Sequence, residues 1–201
     1  MSLTLASLSS LLFMAFLAVF LAIRGFYTRR MRREKAISKA DLRDRVLIGL
    51  VGLGQVFLPI LYAARHVPAF ADRPQLLACA TQGAALMVLG LWFFRRSHVD
   101  LGDSWSITLA LNADHRLVTT GAYQVVRHPM YASLLLLGLG QALLVPTWIA
   151  GLSGIAALGL LIALRLPREE AMMTEQFGDE YRDYQRRVGA LWPRPKKDGS
   201  A

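Results

Sequence analysis

The residues best suited to chemistry lie in the stretch GAYQVVRHPMY, residues 121–131. Arg127 and His128 stand directly before Pro129, and the residues that follow Tyr131 are apolar, so the basic pair precedes an apolar helix. Proline suits the first turn of a helix, because its fixed φ matches the helix and its missing N–H would have had no partner there. The imidazole can donate or accept hydrogen bonds. The same pair also fits the positively charged flank of a membrane helix.

A second charged group, Arg165 with Glu169 and Glu170, follows the next apolar block. Arg165 precedes Glu169 by four residues, which places both side chains on one side of a helix. A guanidinium is a rigid fork that binds a carboxylate or a phosphate through two hydrogen bonds. The alternative is an arginine that snorkels at the end of a membrane span. We interpret Glu170 as a supporting or solvent-facing residue.

Five apolar segments can position these groups. Residues 3–23 carry no charge over the length that a bilayer core requires. The other four segments are residues 46–64, 75–94, 131–145 and 148–164. We expect the first to be a membrane helix rather than a cleaved signal peptide, because no Lys or Arg precedes it and no small-residue cleavage site closes it. Gly52, Gly54 and Pro59 predict a kink in the second.

The composition predicts an integral, multi-pass membrane protein, since 54% of the residues are hydrophobic and the mean hydropathy is +0.37. Residues 24–45 contain nine Lys and Arg, which places this loop in the cytoplasm by the positive-inside rule. We therefore expect an extracytoplasmic N-terminus, a cytoplasmic C-terminus and a bacterial inner membrane. The net charge of +9 does not indicate nucleic-acid binding, because the basic residues collect beside apolar spans.

Two further segments are not membrane spans. Residues 97–126 are polar and too long for a simple connector, which indicates a functional segment at the cytoplasmic interface. Residues 168–188 have the pattern of an amphipathic helix that lies on the membrane surface or packs over the polar segment. Its apolar stripe consists of Met173, Phe177, Tyr181, Tyr184 and Val188.

The run HRLVTTGAYQVVRHPMY, residues 115–131, is followed by an apolar hairpin and then by RLPREEAMMTEQFGDEYRDYQRRV, residues 165–188. These motifs, in this order, resemble the isoprenylcysteine carboxyl methyltransferase family and its phospholipid methyltransferase relatives, which are small membrane enzymes that use S-adenosylmethionine. The resemblance implies an all-α integral membrane helical bundle of about five transmembrane helices, with a cytoplasmic cofactor-binding segment and a C-terminal amphipathic helix. The apolar segments predict an N-terminal three-span region, residues 1–96, and the resemblance, which covers about residues 101–193, implies a methyltransferase region, residues 97–201.

The same resemblance implies the roles of individual residues. The expected catalytic residues are Arg165 and Glu169, with Arg165 also binding the substrate. The tyrosines can enclose an adenine or face a sulfonium, and Glu169 can accept hydrogen bonds from a ribose or an ammonium group. No metal is expected, and the single cysteine, Cys79, excludes a Cys-based metal site within one chain. The expected cofactor-binding residues are His115, Arg116, Leu117, Val118, Tyr123, His128, Pro129, Met130, Tyr131 and Glu169.

The implied activity is carboxyl O-methylation of an isoprenylcysteine-like acceptor by S-adenosylmethionine. The expected partners are a lipid-like or prenylated acceptor and membrane lipids. Because a sulfonium and a carboxylate neutralise each other as the methyl group is transferred, a site with little water favours the reaction. A phospholipid amine or a small thiol remains an alternative acceptor. A non-enzymatic carrier or assembly factor is the alternative of another class, although the spans contain few polar residues beyond Gln55, Gln82 and Gln141.

Small residues in the last hairpin, residues 131–164, suggest a lateral opening for a lipid tail. Together with the kinked span around Pro59 they would form its walls. Close helix packing is the alternative role of such glycines. The glycines concerned are Gly138, Gly140, Gly151, Gly154 and Gly159.

Overall fold

The computed structural model describes residues 4–32, 42–102 and 117–194. In these ranges the chain forms helices and two isolated β-bridges, so the all-α prediction is confirmed. A π-helical turn, Leu53–Phe57, connects α2 with α3, and a short 3₁₀ helix, Ala69–Ala71, lies in the loop after α3. The α-helices are α1 (Leu5–Arg32), α2 (Leu42–Gly52), α3 (Leu58–Arg65), α4 (Leu77–Leu101), α5 (Ala122–Val125), α6 (Pro129–Leu144) and α7 (Trp148–Arg187).

All five predicted apolar segments are helical. Four stretches of the described chain are long and apolar enough to cross a membrane: Leu5–Arg29, Leu42–Arg65, Leu77–Leu101 and Trp148–Arg187. The fifth, α6, has only 16 residues, fewer than the roughly 20 that a bilayer core requires. The predicted bundle of about five helices, in an integral multi-pass membrane protein, is confirmed.

The short helix α6 ends against the loop that joins α3 to α4. The Arg73 guanidinium donates hydrogen bonds to the carbonyls of Ala142, Leu143 and Val145, the last two at 3.3 Å. The last carbonyls of a helix have no partner within the helix, and in an apolar surrounding each unsatisfied group costs several kcal/mol. Arg73 therefore allows α6 to stop after 16 residues.

The predicted kink in the second span is a π-helical turn. The Leu58 N–H bonds to the carbonyl of Leu53 instead of the carbonyl of Gly54, and this change leaves the Gly54 oxygen without its helical donor. The side chains of Gln141 and Ser153 replace that donor at 2.9 and 2.7 Å. Neighbouring helices thus satisfy the carbonyl that the kink releases, as expected for a broken membrane helix.

The last predicted span and the predicted tail helix are not separate, because α7 runs from Trp148 to Arg187 through Pro167. The helix breaks at Gly178, whose φ of 55° is in the region that favours glycine. The Gln185 side chain donates to Glu170 at 2.6 Å, whereas a straight helix would place these residues about 22 Å apart. The chain therefore folds back at Gly178, and the tail packs against the polar end of α7.

The polar segment begins later than predicted. Helix α4 continues to Leu101, so residues 97–101 are helical, and Ser97 and His98 are buried against neighbouring helices. The main apolar core combines side chains of α1, α4 and α6, such as Phe20, Phe94 and Leu137. The proposed division at residues 96 and 97 stays a prediction.

Most glycines of the last hairpin serve close packing. A Cβ atom on Gly140 would lie 2.8 Å from the Met87 side chain, and one on Gly151 would lie 2.9 Å from the Val145 carbonyl. Gly138 packs on the Ile155 backbone. These positions leave no gap for a lipid tail, so the packing alternative is correct for them.

Gly154 and Gly159 form a matched pair on α7. A Cβ atom on Gly154 would lie 2.5 Å from Gln141 Oε1, whereas one on Gly159 would meet nothing within 4 Å. We expect Gly154→Ala to lower the thermal unfolding temperature in detergent, because overpacking costs about 1–3 kcal/mol. Gly159→Ala should leave it unchanged or raise it, since alanine is the better helix former. Equal shifts for both variants would contradict the packing interpretation.

Candidate active site

The RHP tripeptide is held at the polar end of the bundle by the C-terminal residues. The Arg127 N–H donates to the Gly189 carbonyl at 2.8 Å, and the His128 N–H donates to the Ala190 carbonyl at 3.0 Å. Helix α6 begins at Pro129, which confirms the predicted position of this proline in the first turn. The segment after the fold-back at Gly178 therefore fixes where α6 starts.

The Glu170 carboxylate is the centre of a hydrogen-bond network. Arg127 binds it with two nitrogens, Nε to Oε1 at 3.1 Å and Nη2 to Oε2 at 2.8 Å. His128 Nε2 lies 2.5 Å from Oε1. The Tyr181 hydroxyl donates to Oε1 at 2.9 Å, and Gln185 donates to Oε2 at 2.6 Å. The carboxylate thus joins the RHP segment to both parts of α7.

Of the two interpretations of Glu170, the supporting residue is correct and the solvent-facing residue is wrong. Only 17% of its side chain is exposed, and it supports both basic residues of the RHP segment. Glu170 lies beyond the apolar part of α7. Burial alone would raise the pKa of its carboxyl group, but the hydrogen bonds from His128, Arg127 and Gln185 hold the pKa well below its ordinary value. Glu170 is therefore ionised at neutral pH and neutralises Arg127.

The neighbouring carboxylate, Glu169, contacts three other residues that the sequence predicted to bind the cofactor or the substrate. Its Oε1 accepts hydrogen bonds from the Tyr131 hydroxyl at 2.7 Å and from Arg165 Nε at 2.8 Å. Its Oε2 lies 3.6 Å from His128 Nδ1 and accepts no hydrogen bond from the described residues. The rings of His128 and Tyr131 stack with their centroids 5.9 Å apart. These four predicted residues form one cluster.

Arg165 is buried at the boundary between the polar and apolar parts of α7, with 7% of its surface exposed. An apolar cluster of Leu47, Leu158 and Leu161 begins one turn before it, and the Tyr131 ring packs against the same cluster. A buried guanidinium stays charged and needs anionic partners. Arg165 is therefore suited to hold an anionic group at the edge of an apolar region.

The GAY segment is positioned by the end of α4. Gly121 has a φ of +63°, and a Cβ atom at this position would overlap the Asp100 carboxylate. Asp100 Oδ2 accepts the Ala122 N–H at 2.8 Å and pairs with Arg96 Nε at 2.9 Å. Glycine is thus required both by the backbone conformation and by the approach of Asp100.

Tyr123 follows in α5 and is 8% exposed. Burial, together with the nearby Tyr184, Asp100 and Glu169, raises the pKa of its phenol far above the ordinary value. The hydroxyl is therefore neutral at physiological pH and can donate a hydrogen bond. The Tyr184 hydroxyl donates to the Tyr123 carbonyl, which ties α5 to the tail.

The other predicted cofactor-binding residues are not among the described contacts of Glu169. Pro129 is buried at the start of α6, where its role is to begin the helix, and Met130 is half-buried beside it. Leu117 and Val118 are half-buried in the segment that precedes Gly121. The predictions for His115 and Arg116 concern residues outside the described ranges.

Two acidic residues of the site region were not assigned roles from the sequence. Asp100 supports the GAY segment, and Asp44 of α2 is buried near Arg168, with 3.7 Å between Asp44 Oδ1 and Arg168 Nη1. A signal for Asp44 exists, because it precedes Leu47 by three residues and Val51 by seven. An acidic residue in phase with an apolar stripe indicates a buried carboxylate.

Comparison with known proteins places this geometry in context. The sequence model of the isoprenylcysteine carboxyl methyltransferase (ICMT) family matches residues 81–175, a range that includes the RHP segment, Tyr131, Arg165 and both glutamates. The chain resembles this family over these residues, which are slightly less than half of its length. Protein-S-isoprenylcysteine O-methyltransferase of Schizosaccharomyces pombe is 27% identical over 189 residues, covering 88% of this chain and 80% of that protein. Protein-S-isoprenylcysteine O-methyltransferase B of Arabidopsis thaliana is 27% identical over 175 residues, covering 85% and 88%.

A solved structure shares the fold. It is that of the eukaryotic intramembrane Ras methyltransferase ICMT, which superposes with a TM-score of 0.59 at 19% identity. The superposition covers 94% of this chain and 67% of the other. The resemblance that rests on the two motifs is confirmed: the chain is similar to membrane methyltransferases of the ICMT family.

The two adjacent glutamates have different roles in this geometry. We expect Glu170→Ala to destabilise the detergent-solubilised protein by about 3 kcal/mol, because it leaves the buried Arg127 without its counter-charge. Glu169→Ala should cost less, since it removes hydrogen bonds from only two described side chains. The measurement is thermal unfolding, with exposed Glu175→Ala on the same helix as the control. A larger loss for Glu169→Ala would contradict the central role of Glu170.

Proposed function

We propose that the protein transfers a methyl group from S-adenosylmethionine to the carboxylate of an isoprenylcysteine-type acceptor at the cytoplasmic surface of the membrane. One observation carries the proposal: buried Arg165 pairs with Glu169, beside His128 and Tyr131, where the polar end of the bundle meets an apolar cluster. An acceptor with a carboxylate next to a long apolar chain matches this boundary. The names of the relatives support the same acceptor class.

The residues around Glu169 fit the proposed cofactor. S-adenosylmethionine, when bound, supplies an activated methyl group on a sulfonium and carries an ammonium, ribose hydroxyls and an adenine. Glu169 Oε2 accepts no hydrogen bond from the described residues, so it is suited to an ammonium or hydroxyl donor. The rings of His128, Tyr131 and buried Tyr123 supply surfaces for a sulfonium or an adenine.

On the acceptor side, the protein has little chemistry to perform. A carboxylate is already ionised at neutral pH, so no general base is needed, and the residues have only to orient the acceptor and exclude water. Arg165 is the residue proposed to orient the carboxylate through its guanidinium fork. The outer surface of α7 next to Arg165 is apolar, with Leu160 and Leu164 exposed, so the apolar chain of the acceptor can lie along it.

The proposed orientation follows from the basic loops. Residues 24–45 carry nine Lys and Arg, which favours the cytoplasmic side for this loop. If the shorter α6 crosses the membrane together with the four longer apolar helices, the polar end of α7 returns to the same side. A reporter fused after Ala201 is expected to score as cytoplasmic in a bacterial inner membrane. An extracytoplasmic score would reverse the orientation of the site.

The function is tested with purified protein, labelled S-adenosylmethionine and three acceptors: N-acetyl-S-farnesylcysteine, phosphatidylethanolamine and a small alkyl thiol. We expect binding of the cofactor by calorimetry and base-labile methylation of the farnesylcysteine alone, because among the three possible products only a methyl ester releases its labelled methyl group as methanol in mild base. Preferential labelling of the lipid or the thiol would assign a different acceptor. Absence of cofactor binding would refute the proposal.

Variants separate the two sides of the site. We expect Glu169→Gln and His128→Ala to weaken cofactor binding, whereas Arg165→Lys should leave cofactor affinity within about threefold. Arg165→Lys should raise the acceptor KM roughly tenfold or more, because lysine keeps the charge but loses the fork. The measurements are calorimetry for the cofactor and steady-state kinetics for the acceptor. Equal losses of cofactor affinity in all three variants would refute the assignment of Arg165 to the acceptor.

A further inference from the structure

Asp44 presents a buried carboxylate whose hydrogen bonding is incomplete. The residue is 3% exposed, and its Oδ1 atom has no hydrogen-bond donor among the described residues. Its ion-pair partner in these ranges is Arg168, at 3.7 Å and with 41% of its side chain exposed. That distance is too long for a hydrogen bond. A buried oxygen without a donor is costly, so such a group commonly has a role that the protein alone does not show.

The helix geometry places Asp44 beside the acceptor side of the site. Leu47 follows Asp44 by three residues and packs with Leu158 and Leu161 of α7. Along α7, Arg165 follows Leu161 by one turn, and Arg168 follows Arg165 by another three residues. Asp44 therefore faces α7 at the level of the two arginines.

Packing supports this placement. Leu47, one turn after Asp44, packs with Tyr131 as well as with Leu158 and Leu161. Arg165 and Tyr131 both bind Glu169 Oε1. Asp44 thus approaches the predicted site from α2, whereas the Glu170 network reaches it from the tail.

A guanidinium and a carboxylate that line the same site can bind the two polar groups at the end of an amino acid. An acceptor carboxylate held by Arg165 carries its nitrogen on the adjacent carbon, two bonds from the carboxylate carbon. That nitrogen has an N–H whether it is an amide or an ammonium group. A carboxylate oxygen that lacks a donor can accept this N–H in a charge-assisted hydrogen bond.

We propose that Asp44 Oδ1 accepts the N–H on the α-carbon of the methyl acceptor, so that the enzyme selects acceptors that carry a nitrogen beside the carboxylate. The inference rests on the proposed function, since it assumes that Arg165 holds the acceptor carboxylate. It assigns a specificity-determining role to α2. Arg168 balances the charge of Asp44 from the exposed side and does not contact the acceptor.

The test compares two acceptors that differ only at this nitrogen: N-acetyl-S-farnesylcysteine and its desamino analogue, S-farnesyl-3-thiopropionate. We expect the wild-type enzyme to favour the first by roughly tenfold or more in kcat/KM, the value of one hydrogen bond to a charged group. In Asp44→Ala the preference should fall to about twofold, because methylation of the desamino analogue hardly changes. Asp44→Asn, which keeps the volume and one acceptor oxygen, should retain an intermediate preference.

The matched control is Arg168→Gln, which removes the ion-pair partner of Asp44 and should leave the acceptor preference unchanged. A purely structural role for Asp44 would lower kcat/KM for both acceptors by the same factor, and that result would overturn the proposal. Equal turnover of the two acceptors by the wild type would also overturn it, even if no Asp44 variant folds. Failure of the wild type to methylate either acceptor while binding the cofactor would instead refute the proposed acceptor class, and this inference with it.

Discussion

The pairing of Glu170 with Arg127 and His128 is the interaction on which the arrangement of the site depends. The RHP segment and the end of α7 are separated by about forty residues of apolar hairpin, and nothing in that hairpin specifies how its two polar ends meet. The carboxylate fixes their relation, because it binds the guanidinium through two bonds and the imidazole through a third. His128, held in this way, also lies 3.6 Å from Glu169, whose other oxygen binds Tyr131 and Arg165.

The fold-back at Gly178 explains how the network is completed. Two of the five hydrogen bonds to Glu170 come from Tyr181 and Gln185, which lie beyond the break. The same tail supplies the carbonyls of Gly189 and Ala190 to the RHP backbone. A short segment after the last span therefore covers the polar end of the bundle and reduces the water around its charges. This shielding strengthens the electrostatic interactions inside.

The features that could be predicted best from the sequence are those set by one strong local constraint. Uncharged runs near the bilayer length became helices, and Pro129 begins α6 because proline fits that one position in a helix. The predicted cluster of His128, Tyr131, Arg165 and Glu169 also formed, since spacing within a helix and a matched motif specify it.

Features that depend on contacts between distant segments were not predictable in the same way. Glu169 and Glu170 are adjacent glutamates on the same helix, so the sequence does not distinguish their roles. The structure shows that Glu170 contacts the RHP segment and the tail that folds back at Gly178. The break itself requires a positive φ at Gly178, inside a pattern that otherwise continues as a helix. Gly154 is in close contact with the Gln141 side chain. Gln141 occupies this position because it donates a hydrogen bond to the Gly54 carbonyl, which the π-helical turn leaves without a helical donor.

The same physical demand links the apolar spans to the site, because every polar group that the bundle buries must find a partner. At mid-bundle, Gln141 and Ser153 supply donors for the Gly54 carbonyl, and at the far end Arg73 supplies them for α6. At the polar end Glu170 receives its full set of donors from the protein. Among the described residues, Glu169 Oε2 and Asp44 Oδ1 do not. Gln75 Oε1 and Thr147 Oγ1 also lack a partner in the described ranges, but they lie at the far end with Arg73, where Gln75 donates to the Leu143 carbonyl. Asp44 Oδ1 and Glu169 Oε2 lie instead at the candidate site, where the proposed ligands would supply the missing donors: a cofactor donor at Glu169 and an acceptor N–H at Asp44.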